Sequence, residues 1–302
     1  MKSKASYNIK GILFAVVAAV GFGLQPLLAN IVYGYGVKPL MLAFLRVFLM
    51  IPVFFVCAKA KKEALKVPLR SMVQSAFLGL FGAVLTTAFI FYAYDMIDTS
   101  VATILNFSYP FFVLTFGALI YKDRISRRAV FSLILCIIGI ICTCGVRGKL
   151  GLTGCILALA SGLTYGIYIL YLDKSRIINS IGFMSFSFWF FTLSSVILLP
   201  VSMISGQFSL DISVKGWLWV IIFALDGGIV ATTFLQIGIR EIGGTKSSII
   251  GALEPVTSAV AGILFLNEEL TILKIAGMIL IIISTILVVV SDNKDSSSPP
   301  QQ

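Results

Sequence analysis

The sequence has no histidine in its 302 residues. That removes the commonest metal ligand and the usual general base. Charge is scarce as well. Only 12% of the residues are Asp, Glu, Lys or Arg, about half of what a soluble domain carries, and no stretch has the composition of a soluble domain. There are five cysteines, Cys57, Cys136, Cys142, Cys144 and Cys155, with no C-x-x-C spacing, inside or at the edge of apolar runs. They read as small apolar packing residues, not as a redox or metal centre. No H-E-x-x-H, G-x-S-x-G or phosphate-binding loop is present. Most hydrolytic machinery is therefore excluded, and coupling to ATP would require another chain. Neither a cofactor nor a metal is expected.

What fills the chain is apolar surface, 59% of it. A bilayer span needs ~20 apolar residues. Ten segments qualify, at 9–32, 40–58, 69–94, 100–121, 129–146, 152–172, 181–204, 216–239, 245–266 and 272–291. The first, with Lys2, Lys4 and Lys10 before or at its start, is too long for a signal peptide and is expected to stay as a helix. The tail 292–302 is polar and rich in Ser and Pro, the composition of a disordered segment.

The net charge of +10 finds its explanation in topology. Counted by connection, with basic residues in the first three positions of a span assigned to the adjoining connection, 17 of the 23 fall on the side of the N-terminus and five on the other, and Arg46 alone lies deeper inside a span. The positive-inside rule then places both termini in the cytoplasm and makes the helix count even. Nucleic acid is not an expected partner.

The two halves repeat. Gly11, Ala15, Ala19 and Gly23 recur 143 residues later as Gly154, Ala158, Gly162 and Gly166, a ridge of small residues at every fourth position. Displaced by 145, Ala93 matches Gly238 and Pro110 matches Pro255. Five helices per half is an odd number, so the second half must cross the membrane upside down. The expected fold is all-α in the membrane, ten transmembrane helices forming two inverted five-helix repeats, 1–147 and 148–291, around a central cavity. The substrate site is expected near the midplane.

Glu254-Pro255 is the costliest pair in the chain, some nine residues from the nearest polar flank. A charge at bilayer depth costs at least ~2.5–3.5 kcal/mol, and proline removes a helix hydrogen bond. A carboxylate in a poorly solvated cavity suits proton uptake and release during transport; holding backbone freed by Pro255 is the structural alternative. Asp226, beside Gly227 and Gly228, is suited to a cation or an amine, or equally to capping a locally unwound helix. Arg46 suits pairing with Glu254 or Asp226, gripping a substrate carboxylate, or snorkelling to the outer interface. Gln25 beside Pro26, and Asn106 and Ser108 before Pro110, are candidate polar linings, with interhelical packing as the alternative. Tyr92, Phe107, Tyr109, Tyr165, Tyr168 and Trp189 are candidates for an aromatic wall. Pro26, Pro110, Pro255, Gly227 and Gly228 are the expected helix breaks and hinges. Glu268 and Glu269 are expected in a loop, solvated or capping the last helix.

Taken together, the two five-helix halves, Leu45-Arg46, Tyr92-Ala93-Tyr94 leading to Ser100-Val101-Ala102, Tyr109-Pro110, and the run from Glu254-Pro255-Val256 through Leu266-Asn267-Glu268-Glu269-Leu270-Thr271 to Gly277 resemble the drug/metabolite transporter superfamily, in particular its EamA-type ten-helix members. The resemblance covers the chain except its tails. It implies ten helices, cytoplasmic termini, a cavity between the halves and passage of small metabolites, often amino acids. One departure is Asp95, where members of the family often carry a basic residue, as Arg240 is in the second half.

The expected function is thus a secondary transporter, an exporter of small metabolites across the cytoplasmic membrane by alternating access, with protons as the coupling ion. A lipid flippase or passive facilitator on the same fold is the alternative. An intramembrane aspartyl hydrolase built on Asp95 and Asp226 is a remote one.

Overall fold

The computed structural model describes residues 8–97, 99–123, 125–144, 151–265 and 270–290, and among these there is no strand. The helices follow in chain order as α1 (Ile9–Tyr33), α2 (Pro39–Ala60), α3 (Leu69–Tyr94), α4 (Val101–Tyr121), α5 (Arg127–Cys144), α6 (Leu152–Ser175), α7 (Phe183–Ile204), α8 (Val214–Ile242), α9 (Gly244–Phe265) and α10 (Ile272–Val290). Among the described residues eight of them, α1–α4 and α6–α9, are long and apolar enough to cross a bilayer. The chain is an all-helical, multi-pass membrane protein. The tail 292–302, Glu268 and Glu269 lie outside the described residues, as do the side chains of Asp95 and Cys144.

The small-residue ridges decide which helices meet. In lipid, association rests on close packing and hydrogen bonds, because apolar burial gains nothing over lipid tails. Gly11 lies against Glu241 and Ile242, and Gly21 against Ala231, so α1 and α8 run antiparallel. Further along α1, Gly23 lies against the Glu254 carbonyl and Thr257 of α9. The second ridge does the same elsewhere: Gly154 lies against Met96 and Ile97 at the C-terminal end of the helix of α3, and Gly166 against the Tyr109 carbonyl and Phe112 of α4. A methyl at Gly23 would sit 2.5 Å from Thr257 Cβ and 2.7 Å from the Glu254 carbonyl oxygen, closer than atoms pack. α5 and α10 cross tightly at Gly139 and Gly277, with Ser284 Oγ donating 2.7 Å to the Ser132 carbonyl. α2 and α7 pair through aromatics, Phe54 stacking on Phe191 at 5.2 Å and Phe55 lying tilted against Phe188 at 6.0 Å.

The helix interruptions differ from one another in kind. α3 and α8 each widen into a π-helical segment, Leu80–Leu85 and Asp226–Thr233. The glycine pair Gly227-Gly228 therefore opens the turn without unwinding the helix. Hydroxyls five residues on satisfy the loosened carbonyls: Thr86 Oγ1 donates 2.6 Å to Phe81, Thr232 Oγ1 2.7 Å to Gly227 and Thr233 Oγ1 2.6 Å to Gly228. Pro110 and Pro255 occupy the second position of a new helical segment, after a break at Phe107–Ser108 and a 3₁₀ turn Gly251–Leu253. There the missing N–H has no partner to lose. Pro26 does not end its helix. α1 runs on through it, with the ring on the exposed side of the helix.

Candidate functional site

A narrow cavity lies in the middle of the bundle, lined by Phe22 of α1, Arg46 and Val47 of α2, Gly82 and Ala83 of α3, Tyr165 and Tyr168 of α6, Phe190 and Phe191 of α7, and Thr232 and Leu235 of α8. Its free space is about 30 Å³, room for a few waters and far below the ~300 Å³ of a small-molecule site.

One wall is polar. Gln25 Nε2 donates 2.6 Å to Asp226 Oδ2, joining α1 to the π segment of α8. Arg46 closes in from α2: a methyl at Gly227 would lie 2.7 Å from Arg46 Cδ and 3.0 Å from Gln25 Oε1. Gly227 is what lets these two side chains share one place. Arg46 lines the cavity, within electrostatic range of Asp226, Tyr33 and Tyr165, so it does not snorkel outward. Among the described residues it forms no ion pair; the pairs present are Lys174 with Asp123 and Asp173, and Arg240 with Glu241. Gln25 Oε1 is buried and accepts no hydrogen bond. An arginine donor thus faces carboxylate and amide acceptors whose lone pairs are not all used, an arrangement that can take a group carrying both charges.

Much of the rest of the lining is aromatic. Tyr168 stacks at 5.7 Å on Tyr165 and lies 5.9 Å from Phe190, and Gly82 makes space for its ring as Gly227 does for Arg46. Gln236 Nε2 donates 3.2 Å to Tyr168 Oη, and the Gln236 carbonyl oxygen is buried without a partner. Sequence reading missed Gln236. Its signal was present, an amide in an apolar run ten residues after Asp226 and wholly buried in the structure.

Glu254 begins the second segment of α9, within electrostatic range of Tyr109 and Tyr165. Among the described residues its carboxylate makes no hydrogen bond or ion pair, so it holds no backbone freed by Pro255. Tyr109 is buried, its hydroxyl against Gly251.

Asn106 stands apart from the cavity lining. Its Oδ1 accepts 2.8 Å from Ser161 Oγ in a network that continues to the Thr86 carbonyl and the Thr86–Thr164 hydroxyl pair. Ser108 Oγ is buried without a partner. Trp189 does not join the cavity: its Nε1 donates 3.0 Å to the Leu65 carbonyl in the connection between α2 and α3. Tyr92 is exposed, and Phe107 is buried against Tyr109.

Comparison with known proteins agrees with this architecture. An uncharacterized transporter of Clostridium kluyveri is 24% identical over 91% of this chain and 92% of its own length. The uncharacterized inner membrane transporter YicL of Salmonella typhimurium is 25% identical over 76% and 74%. A crystal structure at 16% identity superposes with a TM-score of 0.79, covering 96% of this chain and all of its own, and shows the fold alone. The profile of the EamA-like transporter family matches twice, over residues 9–145 and again over 152–290, and the chain belongs to that family.

Proposed function

We propose that the protein is a secondary transporter built as two inverted five-helix repeats, residues 1–147 and 148–291, with ten membrane-spanning helices and both termini in the cytoplasm. It moves small metabolites such as amino acids across the cytoplasmic membrane by alternating access, exports them, and couples to protons through Glu254.

The observation that carries this reading is the correspondence of contacts between the halves. Gly23 on Glu254 and Thr257 answers to Gly166 on Tyr109 and Phe112, and Gly227 beside Gln25 answers to Gly82 beside Tyr168. Each pair is offset by 143 on one side and 145 on the other. The two π segments fall at matching places in α3 and α8. The cavity takes helices from both halves and is nearly closed, as an occluded intermediate of alternating access requires. Arg46 against Asp226 and Gln25 favours a zwitterion, one charge for each side.

A thermal-stability screen of the purified protein tests the reading. Amino acids, organic cations, nucleosides and sugars are added at two pH values to wild type and to Glu254→Gln. A ligand of the folded state raises the melting temperature by mass action. One compound class should do so and should also be transported in vesicles. If no soluble compound shifts the melting temperature, lipid flipping replaces metabolite transport.

A further inference from the structure

α2 and α7 end in the same way. Lys62 and Gly206 take the left-handed conformation, at φ +55° and +66°. The next residue, Glu63 or Gln207, folds its N–H back to the carbonyl five residues earlier, Ala58 at 2.9 Å or Ser202 at 3.1 Å. This is the Schellman turn that closes a helix. In both cases the residue that completes the turn sends its side chain across to the other helix. Glu63 Oε2 accepts 2.9 Å from the backbone N–H of Ser185, third residue of α7. Gln207 Oε1 accepts 2.8 Å from the N–H of Leu40, second residue of α2.

Each clasp has further ties. Ser185 Oγ donates 2.8 Å to the Ala64 carbonyl and Trp189 Nε1 to Leu65. Gly182, at φ +87°, leaves no side chain where the Glu63 carboxylate lies. At the other end Lys38 Nζ reaches the Gly206 carbonyl at 3.3 Å. Between the two clasps lies the cavity, with Arg46 and Val47 six and seven residues beyond Leu40, and Phe190 and Phe191 five and six beyond Ser185.

We infer that Glu63 and Gln207 are the two gate residues of the transport cycle, each holding one mouth of the cavity shut; this rests on the alternating-access reading above. Releasing either clasp frees one end of the α2–α7 pair while the other end stays pinned, so the cavity opens to one side at a time. The clasps differ in strength. Glu63 brings a carboxylate to the positive end of α7, a charge-assisted bond, whereas Gln207 offers a neutral amide. The Gln207 mouth therefore opens more readily, and the lysine-rich mouth beside Lys59–Arg70 is the tighter one.

The test uses the full chain in lipid nanodiscs, with Trp217→Phe and Trp219→Phe leaving Trp189 as the sole indole, and reads its quenching by iodide. Glu63→Ala should raise the quenching constant by at least about threefold, as expected when an equilibrium loses one of two opposed restraints. Glu63→Gln, which copies the other clasp, should fall between wild type and Glu63→Ala, and it carries the test should Glu63→Ala not fold. Gln207→Ala should leave Trp189 as shielded as in wild type or more so. The double variant Glu63→Ala with Gln207→Ala should return toward wild type. A clasp that merely braces its own loop would give the double variant the quenching of Glu63→Ala alone, and that result overturns the inference. So does Glu63→Ala with wild-type quenching, or Gln207→Ala exposing Trp189 as strongly as Glu63→Ala does. Vesicle transport is measured in parallel. An intact flux without the quenching pattern removes the gates alone, and the pattern without any transported solute leaves the gates standing and removes the transport reading.

Discussion

The amide of Gln25 and the carboxylate of Asp226 meet at 2.6 Å across α1 and α8, from positions 201 residues apart in the chain. Asp226 is the first residue of the π segment, and widening the turn there presents its side chain inward while Gly227 keeps the space beside it open. The bond fixes the orientation of Gln25: its N–H₂ serves Asp226, and its buried carbonyl oxygen is left without a donor.

Asp226→Asn should therefore keep the fold and lose the ligand. The asparagine oxygen still accepts from Gln25, so stability should stay within about 1 kcal/mol of wild type. Asp226→Ala strands the amide as well and should cost about 1–3 kcal/mol. Both variants should lose the ligand-induced rise in melting temperature. A full ligand response in Asp226→Asn would show that the charge takes no part in binding.

Gly227→Ala and Gly82→Ala test the two close approaches. The added methyl would come within 2.7 Å of Arg46 Cδ in one case and 2.5 Å of the Tyr168 ring in the other. Overpacking of this kind typically costs about 1–3 kcal/mol. Melting temperatures in detergent should fall for both, and flux should fall further for Gly227→Ala because Arg46 is displaced. Wild-type stability in Gly227→Ala would mean that Arg46 does not pack against this turn.

Gln236 and Tyr168 should behave as a coupled pair. Gln236→Leu removes the donor to the Tyr168 hydroxyl and leaves that oxygen buried, at a cost of about 1–3 kcal/mol, while the double change with Tyr168→Phe removes both partners and should recover most of the loss. A double-mutant cycle on the melting temperature should give a coupling of at least about 0.5 kcal/mol. Additive losses would mean that the 3.2 Å contact contributes nothing.

Much of this architecture could be read from the chain, because the signals were compositional. The four-residue spacing of glycine and alanine in α1 and α6 gave the two close-packed ridges, and displacements of 143 and 145 aligned Gly23 with Gly166 and Pro110 with Pro255. Gln25, Asp226 and Arg46 stood out as polar groups in apolar runs, and the structure brings all three together beside Gly227. The π turns left no such trace. They depend on which carbonyl each N–H selects, and only the threonines five residues on hint at them. Pro26 shows the limit of residue type as a guide, since α1 runs on through it. Glu63 and Gln207 were illegible for another reason. Both sit in connections where a polar residue is ordinary, and their meaning lies in the helix ends they reach.

Glu254 gives the sharpest prediction for coupling. Its backbone is fixed, because its carbonyl packs on Gly23 and Pro255 follows it into α9. Its carboxylate, by contrast, has no hydrogen-bond or ion-pair partner among the described residues. A charged group in that position contributes no bond to the fold and carries a desolvation cost. Glu254→Gln should therefore melt at the same temperature as wild type or higher. A group held by no fixed partner is free to exchange a proton as the cavity changes sides. In vesicles, Glu254→Gln should lose accumulation driven by a proton gradient and keep exchange of labelled for unlabelled substrate, which needs no net proton movement. Glu254→Asp should retain part of the gradient-driven flux. A drop of several degrees in the melting temperature of Glu254→Gln, with gradient-driven accumulation intact, would make the carboxylate a support of the α9 joint and move proton coupling elsewhere.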